Sequence, residues 1–255
     1  MVNTDIKDWI AAPDLLTDRI ILITGAGSGI GRATATAFAR HGATVILLGR
    51  TVRKLESVYD EIEDAGGPQA AIYPLDLCGA TPQDYENLAV TIRKEFGRLD
   101  GLLHNAALLG ALAPLTHFDT ELWFQSIQVN LTAPFLLTRA CLELLVQSGD
   151  ASIVFTSDET GRQGRAYWGD YGIAKAGVEC MMHILADETE TNTRIRVNSI
   201  DPGPVRSALR TLAYPGETPG KLPLPDAVVP VYLYLMGPDS RGVTGQQFDA
   251  RAFPG

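Results

Sequence analysis

The stretch Tyr171-Gly172-Ile173-Ala174-Lys175 places a phenol and an ammonium group four residues apart. On a helix, residues i and i+4 share one face about one turn apart, so the lysine can reach the surroundings of the phenol. A nearby cation favours the ionised phenolate and lowers the pKa of a tyrosine from its free value of about 10. The pair therefore predicts acid–base chemistry near neutral pH.

A glycine-rich segment with the sequence TGAGSGIG occupies positions 24 to 31, between an apolar run and a helical pattern. Glycines let the backbone turn tightly and approach a pyrophosphate closely, while the helix N-terminus offers free N–H groups and the positive end of its dipole. This context predicts a dinucleotide site, although the spacing GxxxGxG differs from the generic GxGxxG fingerprint. The residues predicted to hold the dinucleotide here are Gly25, Gly27, Ser28, Gly29, Ile30 and Gly31.

The end of the next apolar run carries cations where a chain specific for NAD would carry an acidic residue for the ribose hydroxyl. Arg50, Arg53 and Lys54 cluster there, with no acidic residue among them. An arginine can bind the 2′-phosphate of NADP through charge-assisted hydrogen bonds. The sequence therefore predicts NADP(H) in preference to NAD(H), with Arg50 and Arg53 as ligands. The alternative for Arg53 or Lys54 is a solvated charge on the helix surface.

Apolar runs alternate with helical patterns along most of the chain, which is the rhythm of strand and helix. Continuous apolar strands must be covered on both sides, so the pattern predicts an α/β fold with a doubly wound parallel sheet between two layers of helices. Ligands of such sheets bind at the carboxyl ends of the strands, where the motifs lie. The predicted strands are residues 19–24, 44–48, 70–75, 99–104, 152–156 and 194–200, and the predicted helices are residues 29–40, 52–65, 82–96, 120–146 and 168–190.

No linker rich in Pro, Gly or Ser divides the 255 residues, so we expect a single dinucleotide-binding catalytic domain over residues 19–255 and a short N-terminal arm over residues 1–18. A Pro- and Gly-rich segment, residues 202–225, interrupts the strand and helix rhythm. Loops of this length are usually functional, and this one is expected to close over the site. Its Leu209, Leu212 and Tyr214 predict an apolar wall with arginines nearby.

The net charge of −9 disfavours nucleic acid as a partner, because such binding depends on clustered Lys and Arg that neutralise phosphates. The four histidines show neither HxxxH nor HExxH spacing, so no metal site is predicted.

Three cysteines without CxxC spacing argue against a disulfide framework and for a reducing compartment. The first residues lack the basic start and apolar run of a secretion signal. No apolar run approaches the roughly 20 residues that span a bilayer. We therefore expect a cytoplasmic protein without a membrane partner.

Together these motifs resemble the short-chain dehydrogenase/reductase family over nearly the whole chain. The runs FTS at 155–157, GRQGR at 161–165 and LMGPDSR at 235–241 resemble its YciK-type branch. The resemblance implies a Rossmann-type sheet of about seven strands, and a homodimer or homotetramer packed through the long helices that carry Asn130 and Tyr171. Further residues that match the family's cofactor contacts are Asp76, Leu77, Asn105, Ala106, Ala107, Lys175, Pro202, Gly203 and Val205.

The resemblance also implies catalytic roles. Tyr171 would protonate the carbonyl oxygen during reduction or deprotonate the alcohol during oxidation. Lys175 would hold the nicotinamide ribose and lower the pKa of the phenol. Asn130 would bend the long helix that carries it and hold water in a proton relay. Hydride transfer itself belongs to the cofactor.

One position departs from the family's pattern. The family places a serine thirteen residues before the tyrosine, where it donates a hydrogen bond to the substrate oxygen, but residue 158 is aspartate and Ser157 stands one position earlier. Either Ser157 serves in a loop shifted by one residue, or a protonated Asp158 donates, or an ionised Asp158 opposes the developing negative charge and weakens or alters the enzyme. Ser157 and Asp158 are both catalytic candidates.

The leading hypothesis is an NADP(H)-dependent oxidoreductase that interconverts a carbonyl and an alcohol on an unidentified small or medium substrate. The alternative is an NADP(H)-binding protein with weak or no turnover, used as a sensor or in assembly, because Asp158 occupies the expected serine position. Intact Tyr171, Lys175 and Asn130 favour the enzyme.

Overall fold

The computed structural model describes residues 9–253. Seven strands in this part of the chain join one sheet, and they are numbered here in chain order. The strands are β1 (Ile20–Thr24), β2 (Thr44–Gly49), β3 (Ala71–Pro74), β4 (Gly101–His104), β5 (Ala151–Thr156), β6 (Ile195–Asp201) and β7 (Gln247–Asp249).

The strands lie in the order β3-β2-β1-β4-β5-β6-β7, and every neighbouring pair is parallel. The connections leave β1 and β4 in opposite directions, and such a switch point is where doubly wound sheets bind their ligands. The predicted α/β fold, a Rossmann-type parallel sheet of about seven strands, is therefore confirmed.

Helices cover both faces of this sheet. They are α1 (Gly29–Arg40), α2 (Val52–Asp64), α3 (Pro82–Phe96), α4 (Thr120–Ile127), α5 (Ala133–Ser148), α6 (Glu159–Arg162), α7 (Gly169–Glu190), α8 (Ala208–Ala213) and α9 (Val229–Met236).

Alternate side chains of β1 enter two separate hydrophobic clusters. Ile21 and Ile23 pack with α1, α2 and α9 on one face, and Ile20 and Leu22 pack with α3, α5 and α7 on the other. Because successive side chains of a strand point to opposite faces, an uninterrupted apolar strand such as β1 must be buried on both. The two helical layers supply that burial.

Local signals fix several helix bounds. The backbone N–H of Thr81 donates to the Asp84 carboxylate at 2.8 Å, which satisfies one of the free donors at the start of α3. Pro82 takes the first helical position, where its missing N–H costs nothing. Gly97 ends the helix in the left-handed region at φ 77°. The predicted bounds of α3 and α1 are confirmed for this reason.

Other elements escaped the sequence analysis. The predicted helix over 120–146 contains a π-helical turn at Gln128–Thr132, which separates α4 from α5. β7 has only three residues, and α9 is buried on nearly all sides, so neither shows a periodic pattern. α8 lies within the segment expected to be a loop.

The continuous helical stretch Thr120–Ser148 is long and apolar enough to cross a membrane by length and composition alone. This differs from the expectation that no apolar run approaches that length. The observation is weak evidence for a span, since core helices pass the same test. Here Leu137, Leu144 and Leu145 are buried in the cluster shared with α3 and α7.

Part of the predicted N-terminal arm, residues 1–8, lies outside the described residues, whereas residues 9–18 pack against the sheet domain. Leu16 is fully buried in the cluster around α1 and α9. The Trp9 ring lies 5.5 Å from that of Tyr234 and 5.9 Å from that of Phe253, measured between centroids. We therefore propose that residues 9–18 belong to the same folding unit as the sheet.

Candidate active site

A cavity of about 690 Å³ opens at the carboxyl ends of the central strands. It brings together residues from the turns after β1, β2, β4, β5 and β6, as the topology requires. Of the residues predicted from the sequence, those that line it are Gly25, Gly27, Ser28, Gly29, Ile30, Arg50, Asp76, Leu77, Asn105, Ala106, Ala107, Ser157, Asp158, Tyr171, Lys175, Pro202, Gly203 and Val205. Gly31, Arg53 and Asn130 do not line it.

The glycine-rich turn forms a cradle of the right shape for a pyrophosphate. Gly25 and Gly29 adopt φ values of 68° and 55°, in the region that other residues avoid. A Cβ atom added to Gly29 would find its nearest neighbour, the Ser207 Cβ, 3.9 Å away, so it would occupy space in the cavity itself. Because α1 begins here with N–H groups that the Ser28 side chain does not cap, the turn fits an anionic ligand.

Gly31 supports this turn from behind. A Cβ atom at Gly31 would clash with the Gly25 carbonyl and the Asn105 side chain, so only glycine allows α1 to pack this closely. The Thr24 hydroxyl accepts the N–H groups of Asn105 and Ala106 at 3.0 Å each, and the Asn105 amide donates to the Thr24 carbonyl at 3.2 Å. These bonds hold the turns after β1 and β4 together.

The cationic cluster after β2 is split between two surfaces. Arg50 and Lys54 line the cavity, and a Cβ added to Gly27 would lie 2.9 Å from the Lys54 Cβ. Arg53 instead lies in a separate surface depression with Glu56 and other residues of α2. Successive residues on a helix point about 100° apart, so Arg53 and its neighbour Lys54 face different surfaces. A contact between Arg53 and the dinucleotide stays a prediction, and Lys54 is a further candidate because it lines the cavity.

Tyr171 lies in the cavity wall and is almost fully buried. Burial, reinforced by the negative charges of Asp158 and Asp201, holds its pKa well above the usual value. This net upward direction runs against the lowering of the Tyr171 pKa that was expected from Lys175. The phenol is protonated near neutral pH and is placed to donate a proton.

Lys175 lies beside Tyr171 as the spacing predicted. Its Nζ is 5.4 Å from the centroid of the Tyr171 ring and donates a hydrogen bond to the Thr156 carbonyl at 2.6 Å. Burial lowers the pKa of Lys175 to about 8, although the nearby carboxylates of Asp158 and Glu179 oppose that effect. The ammonium group is thus fixed at the floor of the cavity.

Asn130 lies in the π-helical turn, is 1% exposed and does not line the cavity. Its Oδ1 accepts the Leu108 N–H at 2.9 Å, and its Nδ2 donates to the Leu108 carbonyl at 2.7 Å and to Ser126 Oγ at 2.9 Å. The side chain therefore clamps the loop after β4. Its role in holding water for a proton relay stays a prediction, and the long helix is interrupted by the π-helical turn at this residue, where a bend was expected.

Ser157 and Asp158 follow β5 and differ in environment. The Ser157 hydroxyl is buried beside the Glu179 carboxylate and helps to lower the pKa of that group. Asp158 is half-buried and caps α6, where its Oδ1 accepts the Thr160 N–H at 2.8 Å and the Thr160 hydroxyl at 2.7 Å. Its charge acts on both Tyr171 and Lys175. Ser157 and Asp158 both line the cavity, so both remain candidate catalytic residues.

Part of the cavity wall comes from α8 and the start of α7. Of this wall the sequence predicted Leu209 and Tyr214, with arginines nearby, but not Trp168. Trp168 packs 5.8 Å from the Tyr171 ring and 5.9 Å from the Tyr214 ring, between centroids. The Tyr214 hydroxyl accepts a hydrogen bond from Arg165 at 3.0 Å, and the Arg210 guanidinium stacks on its ring at 3.8 Å. Leu209 joins this wall, whereas the predicted Leu212 is 63% exposed and does not.

Histidine takes no part in this site. His104 is buried at the end of β4, where it stacks on Phe155 at 4.7 Å and shares a 2.8 Å hydrogen bond with Thr138. Burial lowers its pKa to about 3, so the ring is neutral. Within residues 9–253, no group of three or more His, Cys, Asp or Glu side chains is arranged to hold a metal ion.

A buried ionic network lies one helical turn beyond Lys175. The Glu179 carboxylate accepts hydrogen bonds from Arg162 Nε at 2.9 Å, Ser199 Oγ at 2.6 Å and Gln247 Nε2 at 2.9 Å. Burial alone would raise the pKa of Glu179, but these partners and the Ser157 hydroxyl outweigh it and lower the pKa. The network joins α6, α7, β6 and β7 beneath the cavity, and no local sequence pattern signalled it.

Known proteins resemble this chain in both sequence and structure. A family model for short chain dehydrogenases matches residues 19–217. YciK, an uncharacterised oxidoreductase of Escherichia coli K12, is 50% identical over 238 residues, which cover 93% of this chain and 94% of that protein.

Solved structures agree with the sequence matches. A short chain dehydrogenase from Pseudomonas syringae superposes with a TM-score of 0.94 at 52% identity, covering 96% of this chain and 99% of the other. One from Escherichia coli CFT073, complexed with NADPH, superposes with a TM-score of 0.91 at 50% identity, covering 94% of this chain and all of the other. The chain therefore belongs to the short-chain dehydrogenase/reductase family and is an oxidoreductase.

Proposed function

We propose that this oxidoreductase interconverts a carbonyl compound and an alcohol with NADP(H) as its cofactor. The observation that carries the proposal is the position of Tyr171 and Lys175 in the wall of a cavity whose other end is the glycine-rich cradle. An acid–base pair and an anion-binding turn in one cavity match the nicotinamide and the pyrophosphate of a nicotinamide dinucleotide.

The chain's own residues would bind and orient the cofactor and the substrate, and would protonate the carbonyl oxygen. A bound reduced nicotinamide supplies the hydride for the carbonyl carbon. The Tyr171 hydroxyl, protonated near neutral pH, donates its proton to the carbonyl oxygen as charge develops there. Lys175 holds the nicotinamide ribose from the floor of the cavity, and Asn130 fixes the loop after β4 that closes one side.

The binding alternative, in which the chain holds NADP(H) with little turnover, is not favoured. YciK, which matches the chain over nearly its whole length, is named as an oxidoreductase. The direct test is NADPH oxidation against a panel of ketones and aldehydes, followed at 340 nm alongside NADPH binding by fluorescence. NADPH binding without oxidation of any member of the panel would overturn the proposed function.

We expect a preference for NADP(H), because Arg50 and Lys54 line the cavity after β2 with no acidic residue beside them. Related structures have been solved with NADP or NADPH bound. Replacing Arg50 with alanine removes one charge-assisted hydrogen bond from the 2′-phosphate, so KM for NADPH should rise about 10-fold and KM for NADH should stay unchanged. Steady-state kinetics with both cofactors measure this.

Arg53→Ala is the matched control, since Arg53 is a nearby arginine in α2 that does not line the cavity. Its kinetics should equal those of the wild type. Equal or better use of NADH by the wild type, or an Arg50→Ala enzyme with unchanged KM for NADPH, would contradict the cofactor preference.

The substrate would enter beside Trp168 and Tyr214, beneath the segment that contains α8.

We also propose a cytoplasmic homodimer or homotetramer. Apolar side chains on neighbouring helices support assembly through α4, α5 and α7: Phe124, Phe135, Ile173 and Ile184 are 70%, 51%, 47% and 54% exposed in the single chain. Exposed apolar patches of this kind mark interfaces. Light scattering of the purified protein would measure the assembled mass.

A further inference from the structure

We propose that Asp158 selects carbonyl substrates that carry a neutral hydroxyl group on the carbon next to the carbonyl, by accepting a hydrogen bond from that hydroxyl. The inference rests on the proposed function and names the substrate class of the same site. It begins from a carboxylate that lies in the cavity wall with the candidate proton donor, Tyr171.

The two oxygens of Asp158 are used unequally. Oδ1 is held by the Thr160 backbone and hydroxyl, so the side chain is fixed as the cap of α6. Oδ2 has no hydrogen-bond partner among residues 9–253. This oxygen is not among the fully buried side-chain atoms that lack a partner, so it is open to a hydrogen-bond donor in the cavity that Asp158 lines. The site therefore offers a fixed acceptor to whatever lies beside Tyr171.

A plain ketone is poorly matched to this arrangement. Its oxygen gains negative charge during reduction, and a carboxylate cannot donate a hydrogen bond to stabilise that charge. A hydroxyl on the adjacent carbon supplies a hydrogen-bond donor one carbon–carbon bond from the reacting centre. From there it can reach Asp158, which lines the same cavity as Tyr171. The hydrogen bond from this hydroxyl to Asp158 gives the carboxylate a donor and holds the carbonyl oxygen beside the Tyr171 hydroxyl.

The charges around the cavity favour a hydroxyl over an ammonium as that donor. Arg210 is paired with Glu217 at 2.7 Å. Two further cations, Lys175 and Arg206, line the same cavity as Asp158. A second cation placed beside the carbonyl would be repelled by these groups. The aromatic rings of Trp168 and Tyr214 complete a wall suited to the carbon skeleton of a neutral hydroxy ketone.

The reaction balances without another reagent. The carbonyl carbon receives a hydride from the reduced cofactor, the π electron pair moves to the oxygen, and the Tyr171 proton completes the new hydroxyl. The hydroxy ketone becomes a vicinal diol, the cofactor becomes oxidised, and Tyr171 regains its proton from solvent. Asp158 forms and breaks no covalent bond in this sequence.

Three substrates of one carbon skeleton test the proposal with NADPH as cofactor: butanone, acetoin and the methyl ether of acetoin. The ether keeps the second oxygen but removes its donor hydrogen. For the wild type, kcat/KM for acetoin should exceed that for the ether by about 10- to 100-fold, the usual effect of a hydrogen bond to a charged group. Asp158→Ser should bring this ratio close to 1 and raise the rate with butanone.

Asp119→Ser is the matched control, because Asp119 also caps a helix, accepting the Leu122 N–H at 2.9 Å, and does not line the cavity. It should keep the wild-type ratio. Asp158→Asn, which preserves the shape of the side chain, should lower the ratio too, so the test survives poor folding of the serine variant.

Equal rates with acetoin and its ether in the wild type would overturn the proposal, and so would ratios unchanged in both Asp158 variants. If the enzyme reduced other carbonyl compounds but not acetoin, the proposed substrate class would be overturned and the proposed function would stand. Failure to reduce any carbonyl compound would overturn the proposed function as well.

Discussion

Replacing Tyr171 with phenylalanine is expected to lower kcat by about 10²- to 10⁴-fold, the range that general acid catalysis contributes. Phenylalanine fills the same space between Trp168 and Lys175 and loses only the hydroxyl. That hydroxyl makes no hydrogen bond to the rest of the described chain, so the fold should keep its stability. The measurement is kcat with NADPH and the best carbonyl substrate of the panel, together with Tm and NADPH affinity.

Tyr59→Phe provides the control for this substitution. Tyr59 lies on α2, where its hydroxyl donates to Glu63 at 2.8 Å outside the cavity, and its loss should leave kcat unchanged. A Tyr171→Phe enzyme with wild-type turnover would show that the proton comes from another group. Lost turnover with lost NADPH binding would point to a damaged site instead.

Replacing Glu179 with alanine is expected to destabilise the protein by about 3 kcal/mol, because it leaves the Arg162 guanidinium without its carboxylate and deprives Ser199 and Gln247 of their acceptor. The estimate lies at the low end for buried pairs, since the Arg162 side chain is 21% exposed. For a chain of this size, the loss corresponds to a fall in Tm of about 6 to 12 °C. Urea unfolding and a thermal scan measure it.

Glu143→Ala is the comparison for this prediction. Glu143 pairs with Arg93 at 2.7 Å, but the two side chains are 80% and 52% exposed. Pairs in water contribute little, so the expected loss is below about 1 kcal/mol. If Glu179→Ala lowered stability no more than Glu143→Ala does, the buried network would be irrelevant to folding.

Most features that could be predicted from the sequence depend on the spacing of residues that are close together in the chain. The turn from Gly25 to Gly31 and the pair Tyr171 and Lys175 are each defined within one turn or one helix, so residue order alone places their members together. The start and stop signals of α3 are local as well. These features are readable because their geometry depends on neighbours in sequence.

Features that depend on tertiary contacts were missed. Glu179 meets partners in α6, β6 and β7, which are distant in sequence, and nothing near it indicates a buried carboxylate. That Lys54 lines the cavity and Arg53 does not depends on the phase of α2, which the burial of Leu55 reveals only once the helix is docked. The raised pKa of Tyr171 likewise follows from burial and from Asp158 and Asp201, whose positions require the fold.

The loop that lines the cavity after β6 depends on a residue made much later in the chain. The aliphatic part of Arg251 packs on Gly203, whose added Cβ would lie 2.9 Å from the arginine Cδ, and the guanidinium binds Asp249 at 2.7 Å. One side of the cavity is therefore shaped by a contact between two residues that are far apart in sequence. A substitution at Arg251, which does not line the cavity, should still alter the conformation of the loop that does.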